Sequence, residues 1–219
     1  MNDFEIAPSL LAADFGYLMR DIKAVEGQTD YLHLDVMDGH FVDNLSIGVP
    51  VVESIRKYSD MFFDVHLMLT NPEKFVKAFA QAGADMITFH IECTDDPDGL
   101  IELIRSYGLK VGISIHPHTP IEKILPFADK CDLILVMTVV PGFGGGSYLD
   151  GSDERIAAVR KAIDAKNART FLSVDGGINK QTIKEAYDAG ARYFVAGSAV
   201  FNSDDAGKAV EELRSCITM

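Results

Sequence analysis

Four ionisable residues stand at or near the ends of short apolar runs. His33 and Asp35 close one such run, two residues apart, just ahead of a turn at Gly39; His66 lies in a second run and Asp175 ends a third. Side chains alternate along a strand, so His33 and Asp35 share a face. Polar groups facing inward from a buried strand are costly unless something uses them. Two imidazoles and two carboxylates make a nitrogen and oxygen ligand set suited to one divalent ion, Zn²⁺, Fe²⁺, Mn²⁺ or Co²⁺. Such an ion beside a ketone stabilises an enediolate. Asp35 and Asp175, placed on opposite faces, could then take an α-proton from one side and return one from the other. Inversion of a carbon next to a carbonyl needs such a pair, in opposite protonation states.

Four residues from three strands meet only if the chain bends its strands round a common axis. The β-rich runs are Ile6–Ser9, Tyr31–Val36, Phe62–Met68, Met86–His90, Val111–Ile115, Leu133–Thr138, Thr170–Asp175 and Tyr193–Ala196. Helical segments alternate with them: Phe15–Glu26, Val49–Tyr58, Glu73–Gln81, Asp98–Tyr107, Ile121–Phe127, Glu154–Lys166, Thr182–Asp188 and Asp205–Cys216. Asn71 and Pro72 read as a cap and a first-turn proline, and Gly83, Gly108 and Gly190 as helix stops. Strict alternation implies a parallel sheet. Eight units in 219 residues imply a (β/α)₈ TIM barrel near its minimal length, a single domain over residues 1–219. An open doubly wound sheet is the competing architecture, but no GxGxxG follows the first strand.

The glycines gather on the same face as the four ionisable residues. Pro141-Gly142-Phe143-Gly144-Gly145-Gly146 follows the sixth strand, Gly176-Gly177 the seventh and Gly197-Ser198 the eighth. Loops there commonly hold phosphate in barrels, because glycine lets backbone N–H groups come close to an anion. The segment after strand six also reads as a flap. No lysine stands at the C-terminal end of a strand, which sets Schiff-base aldolase chemistry aside.

The net charge of −13 argues against nucleic acid and against an anionic membrane surface. Cys93, Cys131 and Cys216 are scattered, and buried free thiols are expected. No basic N-terminal segment precedes an apolar core, and no apolar run is long enough for a bilayer, so a cytoplasmic protein is expected.

From end to end these residues resemble the ribulose-phosphate 3-epimerase family. The likeness is carried by Ile6-Ala7-Pro8-Ser9, His33 through Phe41 and Asp64-Val65-His66-Leu67-Met68. Further on it is carried by Val136-Met137-Thr138, Pro141 to Gly145, Val174-Asp175-Gly176-Gly177 and Val195-Ala196-Gly197-Ser198. The resemblance implies a metal-dependent isomerase of the pentose phosphate pathway, interconverting D-ribulose 5-phosphate and D-xylulose 5-phosphate, and a homo-oligomer is expected. By position it makes His33, Asp35, His66 and Asp175 the metal ligands, Asp35 the proton acceptor and Asp175 the donor. It puts Ser9 and His66 against the sugar. Gly142, Phe143, Gly144, Gly145, Gly176, Gly177, Gly197 and Ser198 fall along the substrate, and Met37, Met68 and Met137 around the enediolate.

The chain departs from the family pattern at Asp43, His118, Gly146 and Ser173, where proline, glycine, glutamine and glutamate are usual. Gly146 and Ser173 leave room for a hexulose 6-phosphate such as D-allulose 6-phosphate. A barrel that binds phosphate or metal without catalysis is the alternative of another class. His40, His90, His116 and His118 are expected to be structural or solvent-facing.

Overall fold

The computed structural model describes residues 3–218. Eight strands form one parallel sheet: β1 (Glu5–Pro8), β2 (Tyr31–Met37), β3 (Phe62–Met68), β4 (Met86–His90), β5 (Lys110–Ile115), β6 (Leu133–Met137), β7 (Phe171–Asp175) and β8 (Tyr193–Ala196). The order around the sheet is β1-β8-β7-β6-β5-β4-β3-β2. The two end strands meet near the mouth through one backbone bridge, Ser9 to His33, and lower down the Thr29 hydroxyl donates to the Ile6 carbonyl over 2.6 Å. The expected barrel is therefore the fold.

Helices α1 (Leu18–Val25), α2 (Val49–Arg56), α3 (Val76–Ala82), α4 (Pro97–Ser106), α5 (Ser152–Ala165), α6 (Thr182–Ala189), α7 (Ser198–Phe201) and α8 (Ala206–Thr218) follow in the connections. Their apolar faces and the outward strand residues, such as Leu34, Val65, Ile113, Val136 and Phe194, form the main core. Inside the barrel, Tyr31, Phe62, Phe171 and Tyr193 close the lower end, with ring centroids 5.3–6.4 Å apart; Tyr193 meets Tyr31 and Phe171 edge to face, and Tyr31 and Phe62 are tilted. Above that apolar plug the interior turns polar. His33, Asp35, Asp64, His66 and Thr88 are all buried there.

Element boundaries fall within three residues of expectation, and the larger differences have local causes. The run 121–127 is two 3₁₀ turns, Ile121–Lys123 and Leu125–Phe127, because Pro126 lacks the N–H that an α-helix needs. α1 starts at Leu18 rather than Phe15, since Asp14 takes the Gly16 N–H on its side chain and the Tyr17 N–H on its carbonyl. Asn71 makes no side-chain cap; Pro72 opens a 3₁₀ turn and α3 begins four residues on. Gly83, Gly108 and Gly190 end their helices with positive φ, as expected. Of the thiols only Cys131 is buried, while Cys93 and Cys216 are half-buried; all three are free. Burial pushes the thiols of Cys93 and Cys131 up to about 12.

Candidate active site

β2, β3 and β7 end on one rim, and their inward side chains converge. One ligand atom from each of His33, Asp35, His66 and Asp175 lies within 4.8 Å of all the others. His33 Nε2 is 3.3 Å from His66 Nδ1 and 3.4 Å from Asp35 Oδ1, and His66 Nδ1 is 3.3 Å from Asp35 Oδ1. Asp175 Oδ2 completes the group, 3.9 Å from His66 Nδ1. Bonds of about 2.0–2.1 Å to a tetrahedral ion set ligand edges of about 3.3 Å, so the spacing and the donor chemistry both fit a divalent cation. This cluster could hold a metal ion.

Three of the four side chains, those of His33, Asp35 and Asp175, sit on local devices of their own. His33 presents Nε2 because Nδ1 is taken by Asp64 Oδ2 at 2.9 Å, and Asp64 Oδ1 accepts from the Thr88 hydroxyl at 2.7 Å. Asp35 divides its oxygens: Oδ1 faces the imidazoles, and Oδ2 accepts from the Ser9 hydroxyl at 2.6 Å. Ser46 splints the same strand end, donating to the Asp35 carbonyl and accepting the Met37 N–H. At Asp175, the Thr138 amide and hydroxyl both bond the aspartate's carbonyl, at 2.8 and 2.9 Å.

The two carboxylates are electrically unlike. Burial works to raise Asp35, but the neighbouring His33 and His66 outweigh it and hold the group far below the usual carboxylate range. Asp175 is raised to about 6, by burial first and then by the Asp35 charge. His33 moves the other way: burial lowers it, yet Asp35 and Asp64 on either side lift it well above its ordinary value.

Above the cluster lies a cavity that opens to solvent. Its wall includes Ser9, Asp35, Asp175, Met37, Met68 and Met137. Gly142, Phe143, Gly144, Gly145, Gly176, Gly177, Gly197 and Ser198 complete the expected set, and Gly146 lies beside them. No lysine or arginine lines it. At Gly177 the backbone has φ +68° and any Cβ would strike the Tyr148 main chain, so only glycine fits where those loops touch. The flap is tied down by Asn44, whose Nδ2 donates to the Gly142 carbonyl at 2.7 Å.

His33 and His66 are fully buried and are not on the cavity wall; Met68, two residues on along β3, is. Ser173 is also fully buried and away from the cavity, in register with Leu135 and Tyr193. Of the two departures that bear on the sugar, only Gly146 lies on the wall.

The model of the ribulose-phosphate 3 epimerase family matches residues 5–201. The chain belongs to the ribulose-phosphate 3-epimerase family. Within that family, the ribulose-phosphate 3-epimerase of Mycobacterium tuberculosis is 49% identical over 209 residues, covering 95% of this chain and 91% of that protein. The cytoplasmic isoform of Oryza sativa subsp. japonica is 42% identical over 218 residues, covering 97% and 94%. Outside it, the crystal structure of orotidine 5′-phosphate decarboxylase from Pyrococcus horikoshii has the same fold, with a TM-score of 0.73 at 15% identity over 98% and 99% of the chains. This epimerase-family chain is thus an isomerase of carbohydrate phosphates. Neither a hexulose substrate nor a non-catalytic barrel gains support from these matches. No helix among the described residues is long and apolar enough to cross a membrane.

Several residues of the site have no role assigned to them by the sequence reading. Asp64 stands two before His66 and so shares its face, which was a usable signal. His90 and Glu92 repeat, at the end of β4, the spacing of His33 and Asp35. Ser46 carries no signal beyond ordinary loop composition, while Thr138 and Ser198, where α7 starts, stand in motifs that give no hint of a hydrogen bond or a helix.

Proposed function

We propose that this epimerase interconverts D-ribulose 5-phosphate and D-xylulose 5-phosphate by two-base proton transfer at C3, within one barrel domain spanning 1–219. Met1, Asn2 and Met219 of that span lie outside the described residues. The observation that carries the reading is the pairing of Asp35 and Asp175. They come from β2 and β7, both reach the cavity wall, and their environments push their proton affinities apart. Asp35 is set up to accept the C3 proton, with Ser9 steadying its second oxygen. Asp175 is set up to donate one from the other side, and the roles exchange in reverse.

One divalent ion, Zn, Fe, Mn or Co, is the cofactor in this reading, with His33, Asp35, His66 and Asp175 as its ligands. When bound it supplies positive charge beside the developing enediolate oxygen. Met37, Met68 and Met137 give that region an apolar ceiling, which keeps water from competing for the proton. Gly176, Gly177, Gly197 and Ser198 are assigned to the phosphate, through backbone N–H groups and the start of α7. Gly142, Phe143, Gly144 and Gly145 are assigned to the flap that covers the sugar. A cytoplasmic location and a homo-oligomer belong to the same reading.

Turnover of ribulose 5-phosphate in deuterated water tests it. Deuterium is expected at C3 of the product; product formed without label at C3 would end the proton-transfer reading. Dialysis against a chelator is expected to remove activity, and a divalent ion to restore it.

A further inference from the structure

Beside the cluster a second row of polar groups runs along the rim of the barrel, from β3 past the end of β4 to the exit of β5. His66 turns Nδ1 toward Asp35 and Asp175, and its Nε2 meets Nε2 of His90 at 2.9 Å. The two ring centroids are 4.9 Å apart and the planes only 21° from parallel. With the nitrogens that close, the rings lie nearly edge to edge, as an N–H···N bond requires. His90 Nδ1 is 3.3 Å from Glu92 Oε2, and Glu92 Oε1 accepts the His116 N–H at 2.9 Å. His66 and His90 are fully buried, whereas the Glu92 side chain is 21% exposed at the outer end.

A single proton order suits this row if Nδ1 of His66 is a ligand. A ligand nitrogen offers a lone pair, so the His66 proton must sit on Nε2. His90 must then accept with its Nε2 and carry its own proton on Nδ1. That proton points at Glu92, and Glu92 is held in turn by the backbone of the next strand's exit. We infer that His90 and Glu92 are positioning residues for the metal centre, a two-step relay that fixes the tautomer and ring angle of His66. Asp64 does the same for His33 in one step. Neither His90 nor Glu92 lines the cavity, so their effect must pass through the ion. The inference rests on the reading of His66 as a metal ligand.

Cobalt(II) titrated into the metal-free full-length protein, followed by its visible absorption and by chelator competition, tests the relay without any turnover. His90→Phe keeps a flat ring but no acceptor, and is expected to weaken cobalt binding by about 10- to 100-fold. His90→Gln restores a carbonyl acceptor and is expected to recover most of that loss. Glu92→Gln is expected to fall between wild type and His90→Phe. Affinity within about twofold of wild type in His90→Phe overturns the relay, as does a His90→Gln variant no better than the phenylalanine. Should His90→Phe fail to fold by circular dichroism, Glu92→Gln decides, and unchanged affinity there overturns the relay. A wild-type protein that binds no cobalt sinks the ligand cluster itself, whereas equal binding by wild type and His90→Phe sinks the relay alone.

Discussion

At the scale of the residue, Asp35 and Asp175 should be separable by experiment. Asp175→Asn is expected to cut interconversion by about 10²- to 10⁴-fold while leaving the fold intact. Because Asp35 remains, one substrate epimer should still exchange its C3 hydrogen with deuterated water and return unchanged. Asp35→Asn should move that residual exchange to the other epimer. Equal exchange of both epimers in either variant would contradict the opposed placement, and NMR of recovered substrate reads the outcome. The four residues of the cluster were legible in the sequence because each is an expensive polar side chain in an apolar strand. Asp64 and His90 have the same property. Their roles stayed hidden because a hydrogen bond between strands depends on register, which places His66 beside Thr88 and leaves His90 to reach it diagonally.

At the scale of the element, Asp38 shows how the rim is kept in shape. Leaving β2, it accepts the N–H groups of His40 and Phe41 on one oxygen and both the amide and hydroxyl of Thr70 on the other. Burial works to raise this carboxyl, but those donors outweigh it and hold it at about 2. A folded-state value below the ordinary 3.8 means the charge stabilises the fold above about pH 4 and ceases to as pH falls through about 2. Asp38→Asn turns an amide donor toward the Thr70 donors and should cost about 1–3 kcal/mol at pH 6. The gap in urea midpoint between variant and wild type should narrow steadily below pH 4. A gap that is constant from pH 6 to pH 3 would remove the charge from the explanation. Strand positions were readable from apolar runs, whereas helix starts such as Leu18 were set by side-chain turns that periodicity does not reveal.

For the whole molecule, charge and substrate are at odds. The chain carries a net charge of −13, and its cavity wall holds two aspartates without a lysine or arginine. A phosphate dianion must therefore be captured at short range, by backbone donors, against a repulsive field. Salt screens that field, so kcat/KM should hold steady or rise between about 10 mM and 150 mM ionic strength. A severalfold fall would reveal attractive steering that the wall composition does not provide. A panel of pentulose and hexulose phosphates should favour ribulose 5-phosphate, with Gly146 the wall position where a longer chain would be felt. Sedimentation of the metal-loaded protein should report an oligomer.

The join between β1 and β2 turns a ribbon of eight strands into a hoop, and near the mouth it is fastened by Ser9, His33 and Asp35. The side chains of Ser9 and Asp35, which make the tie between them, would also face the sugar and the ion. A fastening that doubles as a tool cannot be slackened on its own account: a substitution that breaks the Ser9–Asp35 tie also blunts the chemistry, whereas the lower Thr29 tie can be eased alone. An ion gripped by His33 and Asp35 on one side and by Asp175 on the other would in turn draw the hoop shut, so that loading the tool is also what locks the frame.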